Sequence, residues 1–166
     1  SMAMRDNIAL GLPELADERI QVAARSARLH NDLAMLPQGL ATMVGERGTT
    51  LSGGQKQRTA IARALVREPH VLLLDDSLAS VDTQTASEIL GELRTARSQR
   101  TCLIVSQRIG SVRDADQIIV LEDGQIVERG THQELFTLDG RYAAMYRREL
   151  RQAEEEVPSD STWSKG

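Results

Sequence analysis

The stretch LSGGQKQRTAIARALVREPHVLLLDD, Leu51 to Asp76, changes its apolar period part-way, and the fold is read from that change. Leu51-Ser52-Gly53-Gly54-Gln55 stands between a loop and a helix, after which Ala60, Ile61, Ala64 and Leu65 trace one helical face up to Arg67. His70 to Asp75 is then a continuous apolar run of strand length, which predicts a strand buried on both faces, as in a parallel sheet.

Downstream, a helix is expected from near Asp82, with Ala86, Ile89, Leu90 and Leu93 as its apolar stripe, and Thr101 to Ser106 returns as a strand. Strand, helix, strand in this order is a βαβ unit, whose crossover should be right-handed. Gln117–Glu122 and Gln125–Arg129 flank Asp123-Gly124, a strong two-residue hairpin signal, so these strands should be antiparallel. Thr131-His132-Gln133-Glu134 has capping-box spacing, and Tyr142 to Glu156 reads as helix before Pro158. Residues Val157 to Gly166 read as a polar, disordered tail.

Upstream, Leu15, Ile20, Ala23, Ala24 and Ala27 recur at helical spacing, predicting one amphipathic helix from Pro13 to about Leu36. Gly39, Gly45 and Gly48 break the period between Pro37 and Thr50. Ser1-Met2-Ala3 carries no signal-peptide features and reads as a cloning remnant outside the fold. No internal repeat is present.

A chain of 166 residues with 40% hydrophobic and 27% charged residues has the composition of a soluble globular protein, for which one domain is the default. Its net charge of −4 disfavours a polyanion-binding surface. The aromatics, Phe136, Tyr142, Tyr146 and Trp163, are too few and too scattered to stack single-stranded nucleic acid. The longest aliphatic runs, such as Val71–Leu74 and Ile118–Leu121, fall far below the ~20 residues of a membrane span. Cys102 is alone, which excludes an intramolecular disulfide, and its apolar neighbours make it a small core residue.

Chemistry concentrates in two places. Ser52 and the N–H groups of Gly53, Gly54 and Gln55 lie at a helix N-terminus, where an anion is attracted, and Lys56 and Arg58 keep the first turn positive. Ser52 and Gln55 equally satisfy S-x-x-Q capping-box spacing, which needs no ligand. Asp75 and Asp76 close the apolar strand at its carboxyl end, where α/β sheets collect ligands. Asp75 is placed to position Mg²⁺ and Asp76 to orient an attacking water; the alternative is that both merely terminate the strand.

Taken in order, Thr42-Met43-Val44-Gly45-Glu46-Arg47-Gly48, LSGGQ, VLLLDD, Ser80-Val81-Asp82 and Ser106-Gln107-Arg108 closely resemble the nucleotide-binding domain of an ABC transporter of the exporter type, from about Met4 to Leu150. The resemblance implies an α/β fold: part of a P-loop ABC-type ATPase domain with a helical subdomain, a parallel βαβ core and a C-terminal hairpin plus helices. Residues 4–68 would be the helical, signature-bearing subdomain, 69–156 the C-terminal part of the RecA-like core, and 1–3 and 157–166 would lie outside the fold. It implies ATP and Mg²⁺ as cofactors. Leu51, Ser52, Gly53, Gly54 and Gln55 would be the signature that contacts the γ-phosphate of ATP held by an opposing domain. Asp75 would be the Walker-B aspartate, and Ser80 and Asp82 would belong to the D-loop. Thr42–Gly48 would touch the coupling helices of a transmembrane domain, and Glu122 to His132 is similar to the family's C-terminal hairpin. The implied place is the cytoplasmic face of a membrane, with a second nucleotide-binding domain as partner.

Departures from the family pattern sharpen that reading. No G-x-x-x-x-G-K-[ST] occurs, and the lysines are Lys56 and Lys165, so the chain is expected to be the C-terminal part of a domain, inactive alone and prone to pair through exposed edges. Asp76 stands where the family's catalytic glutamate is expected; one methylene fewer withdraws the carboxylate by about 1.5 Å. Gln107 stands where the switch histidine is expected, and glutamine does not titrate near neutral pH. His30, His70 and His132 fall at element ends and are read as structural. Ser80-Val81-Asp82 departs mildly from the usual alanine-leucine-aspartate. Together these resemble the degenerate half of a heterodimeric exporter, whose intact signature completes the partner's site in trans. The alternative is a non-hydrolytic regulatory nucleotide-binding module. A chromosome-maintenance ATPase is disfavoured, because no long heptads precede the signature.

Overall fold

The computed structural model describes residues 1–46, 49–95 and 100–155. Arg47, Gly48 and the tail 157–166 lie outside the described residues. The chain divides into two compact units, Ser1–Gln107 and Arg108 onward.

In the first unit, β1 (Met2–Ala3) leads into α1 (Met4–Ile8), followed by α2 (Asp17–Ser26), α3 (His30–Met35), β2 (Met43–Val44), α4 (Gly53–Leu65), β3 (Val71–Asp75), α5 (Thr83–Thr95) and β4 (Thr101–Val105). Ser1–Ala3, read from sequence as a cloning remnant, takes part in local pairing: Met2 pairs with Val44 and Ala3 with Met43, antiparallel. Extended backbone next to an open strand edge takes its hydrogen bonds wherever they are offered.

The single helix expected from Pro13 to Leu36 is also corrected. It stops at Ser26 because Arg28 adopts φ 53°, and a paired C-terminal cap follows: Leu29 N–H reaches the Ala24 carbonyl at 2.8 Å, and Arg28 N–H the Arg25 carbonyl at 2.9 Å. A left-handed residue without glycine costs about 1–2 kcal/mol. It is offset by burial of Leu29 and by the ion pairs of the Arg28 guanidinium with Glu88, at 3.2 Å, and Glu92, at 3.5 Å, on α5.

β3 and β4 are parallel and in register from Val71↔Thr101 to Asp75↔Val105, with α5 between them in sequence, so the βαβ unit is present. Burial on both faces is not. Leu72 and Leu74 join Ile61, Ala62, Leu65, Ala86 and Ile89 in one core, whereas Val71 and Leu73 are 67% and 59% exposed, and Leu103 and Val105 are exposed beside them. A pair of strands has one face to pack against the helices, and no described residue covers the other. Cys102 is half-buried against the core.

The second unit holds α6 (Ile109–Val112), the antiparallel hairpin β5 (Ile118–Glu122) and β6 (Gln125–Gly130), α7 (His132–Leu138) and α8 (Arg141–Glu155). Asp123 and Gly124, at φ 49° and 76°, make the tight turn expected of that dipeptide. Thr131 and Glu134 form the predicted capping box at α7. Ile109, Ile118, Leu135 and Tyr142 are its core, and the Tyr142 hydroxyl lies 2.7 Å from His132 Nδ1. No helix among the described residues is long and apolar enough to cross a membrane.

Candidate nucleotide-contacting site

α4 opens on a complete capping box. Ser52 Oγ accepts from the Gln55 N–H at 3.2 Å, and Gln55 Oε1 accepts from the Ser52 N–H at 2.9 Å. A helix start leaves four N–H groups over. Capping uses those of Ser52 and Gln55, and those of Gly53 and Gly54 have no protein partner among the described residues. Capping and anion binding are therefore compatible: the same box that stabilises the helix leaves two adjacent backbone donors at its positive end.

Arg58 does not add the open positive charge expected of it. Its guanidinium donates from Nε to Asp32 Oδ2 and from Nη2 to Asp32 Oδ1, each at 2.9 Å, and the two side chains are only 14% and 16% exposed. Asp32, on α3, also accepts from Gln55 Nε2 at 3.2 Å. That bond fixes which end of the Gln55 amide faces Ser52, so a residue far back in sequence orients a residue of the helix start. Asp32 was not singled out by sequence, since nothing in its spacing relates it to positions 55 and 58.

β3 ends at Asp75, and Asp76 turns the chain with φ 47°, a conformation that Asp tolerates better than most residues. The Asp76 N–H donates to the Val105 carbonyl at 2.9 Å, and its carbonyl accepts from Ala79 N–H at 3.2 Å. Both carboxylates are exposed at the carboxyl end of the strand. Gln107, also exposed, follows β4 two residues beyond Val105, at the same end of the parallel pair. Asp82 caps α5 by accepting from the Thr85 N–H at 2.9 Å, and this bond, with help from the Thr85 hydroxyl and the Arg58 charge, holds its carboxyl below the usual carboxylate range. Buried Leu78 and Val81 anchor the loop between them.

The loop and the helix meet through Gln57. Its Oε1 accepts from the Ser80 N–H at 2.7 Å, and its Nε2 donates to the Asp76 carbonyl at 3.4 Å. A Cβ on Gly54 would stand 3.0 Å from the Ser80 carbonyl oxygen, and one on Gly53 would stand 3.3 Å from Ser80 Cβ. The glycines thus permit the close approach of Ser80 as well as of any anion. The first unit brings Ser52–Gln55, Asp76 and Ser80 into one neighbourhood; Leu51 packs half-buried against the core. In the segment 42–46, Thr42 and Val44 are buried and Glu46 is exposed.

Mg²⁺ is commonly held by one or two carboxylates together with phosphate oxygens and waters. Asp75, an exposed carboxylate at a strand end, fits that role, and no group of three or more ligating side chains occurs among the described residues. The paired N–H groups of Gly53 and Gly54 fit a phosphate oxygen in the same way.

Residues 1–79 match the model of the ABC transporter family. A probable multidrug resistance ABC transporter ATP-binding/permease protein of Bacillus subtilis (strain 168) is 47% identical over 93% of this chain and 27% of its own length. An ATP-dependent lipid A-core flippase of Nitrosococcus oceani is 45% identical over 91% of this chain and 26% of its own. A bacterial Atm1-family ABC exporter, solved with ATP bound, superposes with a TM-score of 0.83 at 41% identity, over 89% of this chain and 26% of that one. The chain thus spans about a quarter of the length of these relatives. With Leu51–Gln55 opening a capped helix, paired aspartates at the end of a parallel strand and this likeness over most of its length, the chain is similar to the ATP-binding domains of ABC transporters.

Proposed function

We propose that this chain works as part of an ABC exporter, coupling ATP binding and hydrolysis to movement of a substrate across a membrane, at the cytoplasmic face. Its signature, Leu51–Gln55, would complete the nucleotide site of a second, different nucleotide-binding domain. Its own site, with Asp75 at Mg²⁺, Asp76 in place of the catalytic glutamate and Gln107 in place of the switch histidine, would bind nucleotide and turn it over poorly. Thr42–Gly48 would meet the coupling helices of the transmembrane domain. Residues 4–68 would carry the signature and 69–156 the C-terminal part of the ATPase core. The rest of that core would cover the apolar face of Val71, Leu73, Leu103 and Val105, which favours a domain part over a self-sufficient regulatory module.

The observation that carries this reading is the pair of unengaged N–H groups at Gly53 and Gly54 beside an intact capping box. Magnesium and phosphate supply charge neutralisation at the transferring group. The protein's part is to aim fixed donors at it without reorganisation. The test is Ser52→Arg in the full-length transporter, which places a bulky cation at the helix start and removes the capping oxygen. ATPase activity should fall to a small fraction; near wild-type turnover would mean that this signature serves no competent site.

A further inference from the structure

Gln57 uses both ends of one side-chain amide on the loop that follows β3. Oε1 takes the Ser80 N–H at 2.7 Å, and Nε2 gives to the Asp76 carbonyl at 3.4 Å. An amide holds an acceptor and a donor in fixed relation, so both bonds persist only while Asp76 and Ser80 keep their spacing. That spacing is set by the turn between them, closed by Ala79 N–H on the Asp76 carbonyl. Asp76 holds φ 47°, so a change of its backbone would swing the carbonyl that Gln57 reads. On the helix side the contact is stiff. Gln57 lies one turn from Gly53, within the α4 segment that starts at Ser52, and Gly53 and Gly54 leave no slack against Ser80.

We propose that Gln57 is a positioning residue that couples the two nucleotide sites, passing the state of the Asp76–Ser80 loop to the signature turn of α4. The inference rests on the reading above, in which Asp76 belongs to this chain's own site and the signature to its partner's. A single side chain then joins a wall of one site to a wall of the other. Ligation at the own site shifts the loop, Gln57 carries the shift to Gly53 and Gly54, and the donors at the partner's site move into or out of line. Coupling of this kind is a free energy between two places, and it is measured as the failure of two perturbations to multiply.

The experiment is a double-mutant cycle in the full-length transporter, reading kcat and KM for ATP at the partner's site. Asp75→Asn perturbs the own site at its Mg²⁺ ligand, and Gln57→Leu removes both amide bonds at similar size. In the wild-type background Asp75→Asn should change kcat at the partner's site at least threefold with little change in KM. In the Gln57→Leu background the same substitution should change it by less than 1.5-fold. Gln57→Glu keeps the acceptor for Ser80 and loses the donor to Asp76, so it should uncouple as well while preserving the fold. Asp75→Asn effects of equal size with and without Gln57, or no effect in the wild-type background, would overturn the proposal. Ser52→Arg is run alongside: if it leaves turnover intact, the trans reading itself fails, whereas its expected loss of activity together with intact coupling in both Gln57 variants removes only the role given to Gln57.

Discussion

The Ser80 carbonyl oxygen lies 3.0 Å from where a Cβ on Gly54 would stand, closer than side-chain carbons ordinarily come to backbone oxygen. The neighbour on that side is backbone in a loop anchored by buried Leu78 and Val81, and Arg58 Nη1 stands 3.2 Å away on the other. Gly54→Ala should therefore push the Ser80 loop and the helix start apart. A misplacement near 1 Å at a catalytic donor costs about 100-fold in rate, so a fall of roughly ten- to a hundredfold in transporter ATPase is expected. Gly54→Asp should fall further, since a carboxylate there also repels phosphate. Gly54→Ala with unchanged turnover would show that the contact with Ser80 is loose.

Asp32 and Arg58 give a stability prediction. Their bidentate pair is mostly buried, and Asp32 also holds Gln55. Asp32→Ala leaves a mostly buried guanidinium without its carboxylate, and removing one partner of a buried pair costs about 3–5 kcal/mol. The urea midpoint should drop accordingly. Replacing both residues together, Asp32→Leu with Arg58→Met, should recover most of that loss, because no unpaired charge remains. Equal midpoints for the single and double variants would contradict this.

Tyr142 gives a pH dependence. Its ring is fully buried in the second unit, and burial pushes its hydroxyl from an ordinary value of 10.0 up to about 12. A group whose folded value is raised adds stability that is complete below the unfolded value and is lost as pH rises through the folded one. Unfolding free energy should thus decline between about pH 10 and pH 12, and Tyr142→Phe should flatten that decline. A decline of the same size in the variant would place its origin elsewhere.

Much of the local structure is written in short-range signals. Ser52 and Gln55, Thr131 and Glu134, and Asp123-Gly124 each act within four residues, and each forms as its spacing predicts. What sequence does not show is set by partners distant along the chain. Arg28 ends α2 without a glycine because Glu88 and Glu92 on α5 hold its side chain. Asp32 orients Gln55 from α3, and Gln57 reaches Ser80 across more than twenty residues. The apolar run Val71–Leu74 predicts a strand covered on both faces, while the structure shows cover on one face only. The Ser52–Gln55 capping box was legible because it is local to one helix start; the Asp32 brace that holds it was not.

Mg²⁺·ATP should bind this chain alone weakly or not at all. A lysine-bearing phosphate loop supplies most of the cradle in P-loop enzymes, and no such sequence occurs here. Calorimetry is the measurement. A dissociation constant near 1 μM, about −8 kcal/mol, would reveal an independent nucleotide site.

The sharpest expectation concerns Asp76→Glu combined with Gln107→His in the full-length transporter. Both positions stand exposed at the carboxyl end of the parallel pair, where the Asp76 N–H donates to the Val105 carbonyl two residues before Gln107. Glutamate restores about 1.5 Å of reach toward an attacking water. Histidine restores a group that can hold the terminal phosphate and follow a proton. Either change alone should do little, because residues that act as one catalytic unit do not contribute additively. Together they should raise hydrolysis at this site by about ten- to a hundredfold, provided the partner's signature closes over it. Asp76 also carries a left-handed backbone that Asp tolerates better than Glu, so part of the gain is opposed by strain. The measurement is single-site turnover with the partner's catalytic glutamate replaced by glutamine, which suppresses the background. No gain in the double variant, against a partner whose signature is intact, would mean that Asp76 and Gln107 do not limit hydrolysis here.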